Sequence, residues 1–248
     1  MARKLRYAFI GAGGIAGAHM RYLKEMDDVE MVAMADIAKP GMESKAEQFG
    51  IDGIYTDYRK MLSQVKPDAV SVCTPNVAHA KASIAASNAG AHVLVEKPMA
   101  MSATEASRMI AAAKKKRRKL VIGFQHRYDA RTTFIKDAVD SGRMGKVVYG
   151  RIQALRRRGI PNWGVFGRKD LQGGGPLIDI GVHALEMTHF AMGSPTPVAA
   201  SGSIFTYLGD RKSNVVSQWP NWDHKSYPVE DLAIGQIRFD NGAVLSIE

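Results

Sequence analysis

The sequence predicts an α/β fold: a doubly wound parallel sheet, then an α+β domain built on an open, mainly antiparallel sheet. Three observations predict it. At the N-terminus the short apolar run Leu5–Ile10 meets a glycine-rich turn and then a helix-compatible stretch, LRYAFIGAGGIAG. From there to residue 124, short apolar runs without strict alternation repeat between amphipathic stretches, as parallel strands covered on both faces do. Beyond residue 124 the texture changes to partly alternating runs, a loop rich in Gly, Pro and Trp, and a hairpin signal.

In order, the expected strands of the first domain are 5–10, 30–35, 69–73, 92–95 and 120–124. The expected helices are 15–25, 44–49, 58–65, 78–89 and 103–115, the last opened by the capping-box spacing of Ser102 and Glu105. Alternating units of this size imply right-handed crossovers. In the second domain a helix is expected over 130–139 and an antiparallel strand over 146–157. A loop follows over 159–176, then a helix over 177–192 stopped by Gly193-Ser194-Pro195. Strands are expected over 198–207, 232–239 and 243–247, the last two joined by Asp240-Asn241-Gly242. The expected domains are therefore 1–124 and 125–248.

Composition narrows the classes. With 46% hydrophobic and 23% charged residues, the 248-residue chain resembles ordinary globular proteins and is long enough for two modest domains. It has no apolar run of the roughly 18 residues a membrane helix needs. The apolar part of MARKLRYAFIG is too short for a signal peptide and reads as the first strand, so a cytoplasmic protein is expected. The single cysteine, Cys73, excludes an internal disulfide and a cysteine zinc site. The net charge of +10 is concentrated in Lys114–Lys119 and Arg156-Arg157-Arg158. The first cluster ends a helix, where cations complement the dipole. Without aromatic interleaving or a DNA-binding motif, no nucleic-acid partner is expected.

The N-terminal turn carries the first chemistry. Gly11 permits a tight turn, Gly13 places no Cβ between backbone and ligand, and Ala16 is small enough for helix and strand to pack. A helix start then aims unpaired N–H groups and partial positive charge outward, the arrangement that holds a pyrophosphate. Gly11, Ala12, Gly13, Gly14 and Ile15 are thus candidate dinucleotide contacts. Asp36, which with Ile37 follows the second strand, stands about twenty residues beyond the turn, where a ribose-binding acid is expected. Its carboxylate favours NAD over NADP, though Lys39 lies nearby. This is the Rossmann pattern.

Ligands of such sheets bind outside the carboxyl ends of the strands. The third strand ends in Thr74-Pro75-Asn76, followed by His79, a rigid turn whose hydroxyl and amide can reach a ribose or nicotinamide. Asn76 can equally cap the next helix, and His79 faces either the site or solvent. The next strand ends Glu96-Lys97-Pro98. A lysine shielded from water beside a cationic ring loses basicity and can exchange a proton with a hydroxyl. The Lys97–Pro98 bond is a candidate for cis. In the second domain Asp179 and His183, four apart, share one helical face beyond Gly173-Gly174-Gly175. A carboxylate and an imidazole suit proton transfer and the orienting of a hydroxyl. Glu186 is within reach, but no tight ligand framework accompanies it, and no metal is expected.

Together these motifs resemble the Gfo/Idh/MocA family, the glucose–fructose oxidoreductase and inositol dehydrogenase-like enzymes. The similarity runs in order from Gly11-Ala12-Gly13-Gly14-Ile15-Ala16 through Thr74-Pro75-Asn76, Glu96-Lys97-Pro98 and Asp179-Ile180-Gly181-Val182-His183. It continues through Val229-Glu230-Asp231 to Leu245-Ser246-Ile247-Glu248. The resemblance implies NAD(P)-dependent hydride transfer at a hydroxyl-bearing carbon of a sugar, polyol or cyclitol. It implies that Lys97 binds cofactor and substrate, and that Asp179 and His183 face the substrate, the histidine assisting proton transfer. Arg127, Arg156 and Trp163 are further substrate-side candidates. Two alternatives remain at this point: a glycoside hydrolase using NAD for transient oxidation, and a non-catalytic NAD-binding sensor. Similar enzymes continue for on the order of a hundred residues past this C-terminus. The second domain is therefore expected to be truncated, and a homo-oligomer through its sheet is expected.

Overall fold

The computed structural model describes residues 3–156, 159–162, 164–214, 216, 219 and 221–248. They form two compact units, 1–123 and 124–248.

The first unit alternates β1 (Leu5–Ile10), α1 (Gly14–Leu23), β2 (Val29–Ala35), α2 (Lys39–Phe49), β3 (Gly53–Tyr55) and α3 (Tyr58–Val65). It continues with β4 (Ala69–Val72), α4 (Asn76–Asn88), β5 (His92–Val95), α5 (Ala103–Lys115) and β6 (Leu120–Ile122). All strand pairs are parallel, in the order β3-β2-β1-β4-β5-β6. The order reverses between β1 and β4, which opens a crevice at their carboxyl ends. Side-chain alternation along β1 feeds two cores. Ala8 and Ile10 join Val70, Val72, Val93, Val95, Met61 and Met109 on one face. Tyr7 and Phe9 join Ala16, Met20, Met34 and Met42 on the other. Each large apolar side chain buried this way contributes about 1.5–3 kcal/mol.

Two elements differ from expectation. β3 was not foreseen, because three residues carry no periodicity; it exists by pairing with Ala33–Ala35. Helix α2 starts at Lys39 rather than 44, because Pro40 falls in the first turn, where a proline costs no hydrogen bond. Helix α5 is capped as expected: the Ser102 hydroxyl accepts the Glu105 N–H at 3.2 Å. Glu105 reaches back to the N–H of Met101 at 3.1 Å, one residue before Ser102.

The second unit comprises a short 3₁₀ turn (Gln125–Tyr128), α6 (Ala130–Asp140), β7 (Tyr149–Ile152), α7 (Lys169–Gln172) and a π turn (Leu177–Gly181). After these come α8 (Val182–Ala191), β8 (Pro197–Phe205), β9 (Leu232–Phe239) and β10 (Val244–Ile247). Its sheet runs β7-β10-β9-β8. The strands β8, β9 and β10 pair antiparallel. Strand β7, however, is four residues long and parallel to β10, which corrects the long antiparallel strand expected over 146–157. Alternation shows that one face of a strand is covered; it carries nothing about the direction of the partner. The hairpin loop places Gly242 at φ 85°, and the Asn241 side chain accepts the Ala243 N–H at 3.0 Å. Ala184, Met192, Phe239, Leu245 and Ile247 form the core between α8 and the sheet.

The expected helix over 177–192 is interrupted. Its first five residues form the π turn, so regular α geometry begins only at Val182. Gly175 approaches the Glu230 carbonyl so closely that a Cβ there would lie 2.0 Å from its oxygen. That contact sets how the chain enters the turn, and apolar periodicity does not record it.

Candidate functional site

The carboxyl ends of β1, β4 and β5 gather the candidates of the first unit. Gly11 has φ 95°, and a Cβ on it would sit 2.5 Å from the Cys73 carbonyl oxygen, so only glycine fits. Around Gly13 the space is open, with no heavy atom within 4 Å of where a Cβ would lie. Gly13 also precedes α1 without a side-chain acceptor for the helix's first N–H groups. Asp36 turns its carboxylate onto this turn: Oδ2 accepts the Ala12 N–H at 2.6 Å and Oδ1 the Ala38 N–H at 2.8 Å. Each oxygen keeps a further lone pair. Ile15 and Ile37 are exposed at the same end, Ile37 to 92%.

Across the crevice, the Thr74 hydroxyl oxygen is buried without a hydrogen-bond partner among the described residues. Pro75 holds the cap position of α4, so Asn76 is the first helical residue and not its cap. His79 does not face the site. It is fully buried, with Nδ1 2.7 Å from the Pro98 carbonyl oxygen and Nε2 2.9 Å from that of Thr74. It joins the two turns from behind, a positioning job rather than a cofactor contact. Burial pulls its pKa below the usual imidazole value, and the two carbonyl oxygens oppose that pull. The Lys97–Pro98 bond is cis.

Glu96 is likewise engaged within the protein. Its Oε1 lies 3.0 Å from His19 Nε2, and its Oε2 accepts the Lys97 N–H at 3.2 Å. Burial would raise the Glu96 carboxyl, but the hydrogen bond and charge of His19, with the N–H and charge of Lys97, hold it below the ordinary carboxylate range. His19 Nδ1 lies 2.8 Å from the Ser71 hydroxyl, which lies 2.9 Å from the Tyr7 hydroxyl. Burial pushes the Tyr7 hydroxyl up to about 12 and raises the Cys73 thiol. His19 was not singled out from the sequence. The signal was available: it stands three positions after the buried Ala16, on the face of α1 that packs on the sheet.

In the second unit, Asp179 lies in the π turn and borders a cavity of about 270 Å³ with Arg156, Gln172, Tyr227 and Asp231. Arg156 lies over the Trp219 ring at 4.9 Å. The Asp231 carboxylate organises one wall, its Oδ2 accepting the N–H groups of Tyr207, Leu208 and Gly209 at 2.9, 2.6 and 2.7 Å. Gln172 and Tyr227 lie outside every sequence motif and become visible only here.

His183 opens elsewhere. It is 9% exposed, meets the rings of His126 and Phe124 edge-on at 5.1 and 6.4 Å, and borders a wider cleft between α6, β7 and α8. Asp179 and His183, four residues apart, thus border different cavities. Arg127 is paired with Glu186 and stacks over Phe190 at 4.8 Å, which ties the 3₁₀ turn to α8. Trp163, Arg157 and Arg158 lie outside the described residues. Among the described residues no group of three His, Cys, Asp or Glu side chains could hold a metal ion, and no helix is long and apolar enough to cross a membrane.

The strand order, the glycine turn against Cys73 and the acid on Ala12 define a dinucleotide-binding Rossmann unit. The chain belongs to the Gfo/Idh/MocA oxidoreductases: residues 5–124 match that family's NAD-binding Rossmann fold and residues 132–248 its C-terminal domain. It is 40% identical to D-glucoside 3-dehydrogenase of Escherichia coli (strain K12), over 98% of this chain and 69% of that protein. It is 31% identical to myo-inositol 2-dehydrogenase of Thermotoga maritima, over 97% of this chain and 66% of that one. The crystal structure of GenD2 from gentamicin A biosynthesis in complex with NAD superposes with a TM-score of 0.83 at 26% identity, covering 100% of this chain and 66% of that chain. The chain spans about two thirds of the length of these relatives.

Proposed function

We propose that the chain transfers hydride between NAD and a hydroxyl-bearing carbon of a sugar, polyol or cyclitol. The observation that carries this reading is Lys97, held in a turn braced by Glu96 and His79 beside the dinucleotide turn of the same sheet. The relatives named as glucoside and inositol dehydrogenases support the substrate class.

The residues present suit NAD. Gly13 leaves room for a pyrophosphate, and the uncapped start of α1 offers it N–H groups and partial positive charge. Asp36 retains acceptor capacity for a ribose hydroxyl and repels a 2′-phosphate. The buried Thr74 hydroxyl lacks the partner that a ligand amide or hydroxyl would supply. Bound NAD supplies the hydride acceptor. Lys97 takes the proton of the hydroxyl being oxidised and returns it in the reverse direction, a role favoured by exclusion of water. Asp179 orients neighbouring hydroxyls at the cavity it shares with Arg156, and His183 assists the proton transfer. The second unit supplies substrate contacts. The exposed outer strand β8, with Val198 and Ile204 in water, supports pairing of copies through its sheet. A cytoplasmic setting completes the reading, since that compartment supplies the cofactor.

The test is absorbance of the reduced cofactor with NAD or NADP and a panel of glucosides, free sugars and inositols. NAD-dependent reduction with at least one member, lost in Lys97→Ala, is the expected result. Sugar release from a glycoside with no net reduced cofactor would establish the hydrolase instead. Cofactor binding that Lys97→Ala leaves intact, with no turnover by the wild type, would establish a sensor.

A further inference from the structure

We propose that His19 is a positioning residue for Lys97, acting through Glu96, and that Ser71 and Tyr7 lock the tautomer this requires. The inference rests on the reading of Lys97 as the proton-handling group.

The argument is an account of protons. Ser71 is fully buried and Tyr7 nearly so, while the side chains of His19 and Glu96 are 15% and 13% exposed. Buried polar groups must find partners with the right donor sense. The Tyr7 phenol keeps its proton and has the Ser71 oxygen 2.9 Å away as acceptor. Ser71 then directs its own proton to His19 Nδ1, 2.8 Å away. When Nδ1 accepts, the ring proton sits on Nε2, which donates to Glu96 Oε1 at 3.0 Å; a protonated ring donates to Glu96 from the same nitrogen. The reverse wiring would set an Nε2 lone pair against a carboxylate, and Glu96 is held in its ionised form. In that tautomer the donors run from Tyr7 to Ser71 to His19 to Glu96, whose other oxygen accepts the backbone N–H of Lys97.

Its placement gives it a consequence. His19 belongs to α1, the helix whose first turn follows Gly13. The same rigid element therefore presents N–H groups at one end and grips the Lys97 turn from its side. Two hydrogen bonds link α1 to the Lys97 turn. The crevice packs tightly here: a Cβ on Gly123 would lie 3.1 Å from Glu96 Oε1. The other titratable groups facing this chain are Cys73, whose sulfur lies 3.8 Å from His19 Nδ1 and whose thiol burial keeps neutral, His79 behind the Lys97 turn, and Lys97 itself.

Three variants of the full chain test this. His19→Leu removes both hydrogen bonds. His19→Gln keeps an acceptor for Ser71 and a donor for Glu96. Ser71→Ala removes only the tautomer lock and guards against a His19→Leu that fails to fold. The first readout needs no substrate: acetylation of Lys97 by acetic anhydride across pH, followed by mass spectrometry. The second is the pH profile of turnover. We expect His19→Leu to change the Lys97 labelling rate at neutral pH at least about threefold. Its kcat should fall about tenfold or more with KM nearly kept. Ser71→Ala should move labelling in the same direction by less, and His19→Gln should restore most of both. Labelling curves of folded His19→Leu or Ser71→Ala that coincide with wild type would overturn the inference, as would a His19→Gln no better than leucine. If labelling shifts while the wild type reduces NAD with none of the sugars, the positioning role stands and the redox reading falls.

Discussion

His79 Nδ1 lies 2.7 Å from the carbonyl oxygen of Pro98, the residue that follows Lys97. Through its other nitrogen the same ring reaches Thr74, so one buried side chain ties together the turns after β4 and β5. Replacing it with Phe fills the volume but strands two carbonyl oxygens. The expected cost is about 2–4 kcal/mol. Thermal unfolding should show this as a fall in Tm of roughly 5–15 °C. A Tm within a degree of wild type would mean that the ring bears no weight between the turns.

Gly11 and Gly13 should respond differently to alanine. At Gly11 a methyl group meets the Cys73 carbonyl and the backbone sits in the left-handed region. Gly11→Ala is expected to lose about 2–4 kcal/mol of stability together with NAD binding. At Gly13 the space is open, so Gly13→Ala keeps its Tm while NAD affinity falls. Fluorescence titration with NAD alongside thermal unfolding separates the two.

Asp36 makes a prediction about cofactor choice. Asp36→Asn keeps an acceptor oxygen for the turn but removes the charge that repels a 2′-phosphate. The preference for NAD over NADP is expected to narrow about tenfold or more, as for a hydrogen bond to a charged group. The ratio of the two dissociation constants is the measurement, and an unchanged ratio would take Asp36 out of the ribose site.

The pH dependence of stability follows from Glu96. Its native pKa is lowered, so its contribution is complete above the ordinary carboxylate value. That contribution is lost as pH falls through the lowered native value, because the unfolded chain then binds more protons. Unfolding free energy measured from pH 7 to 3 should fall more steeply in the wild type than in Glu96→Gln. Parallel curves would show that Glu96 is not held by His19 and Lys97.

Asp231 governs the wall of the cavity beside Asp179. Asp231→Ala removes the acceptor for three consecutive backbone N–H groups. Amide exchange at residues 207–209 should accelerate at least about tenfold, with exchange in the first unit unchanged.

The sequence alone determined five of the six strands of the first sheet, because they are continuous apolar runs and their turns have a steric logic; β3 needed its pairing with β2. Gly11, Ala16 and Asp36 are legible for that reason: each follows from local backbone geometry and a fixed spacing. The Glu96-Lys97-Pro98 turn was legible as a place, at the carboxyl end of a strand. What Glu96 and His79 do there was not, since their partners are 77 and 19 residues away in the chain. Tertiary structure also decided that β7 runs parallel to β10, that Asp179 and His183 border different cavities, and that Arg127 pairs with Glu186. Spacing along a chain fixes which residues share a local face. Which buried donor meets which acceptor depends on packing between distant segments, and only the folded protein brings Tyr7, Ser71, His19 and Glu96 into one line.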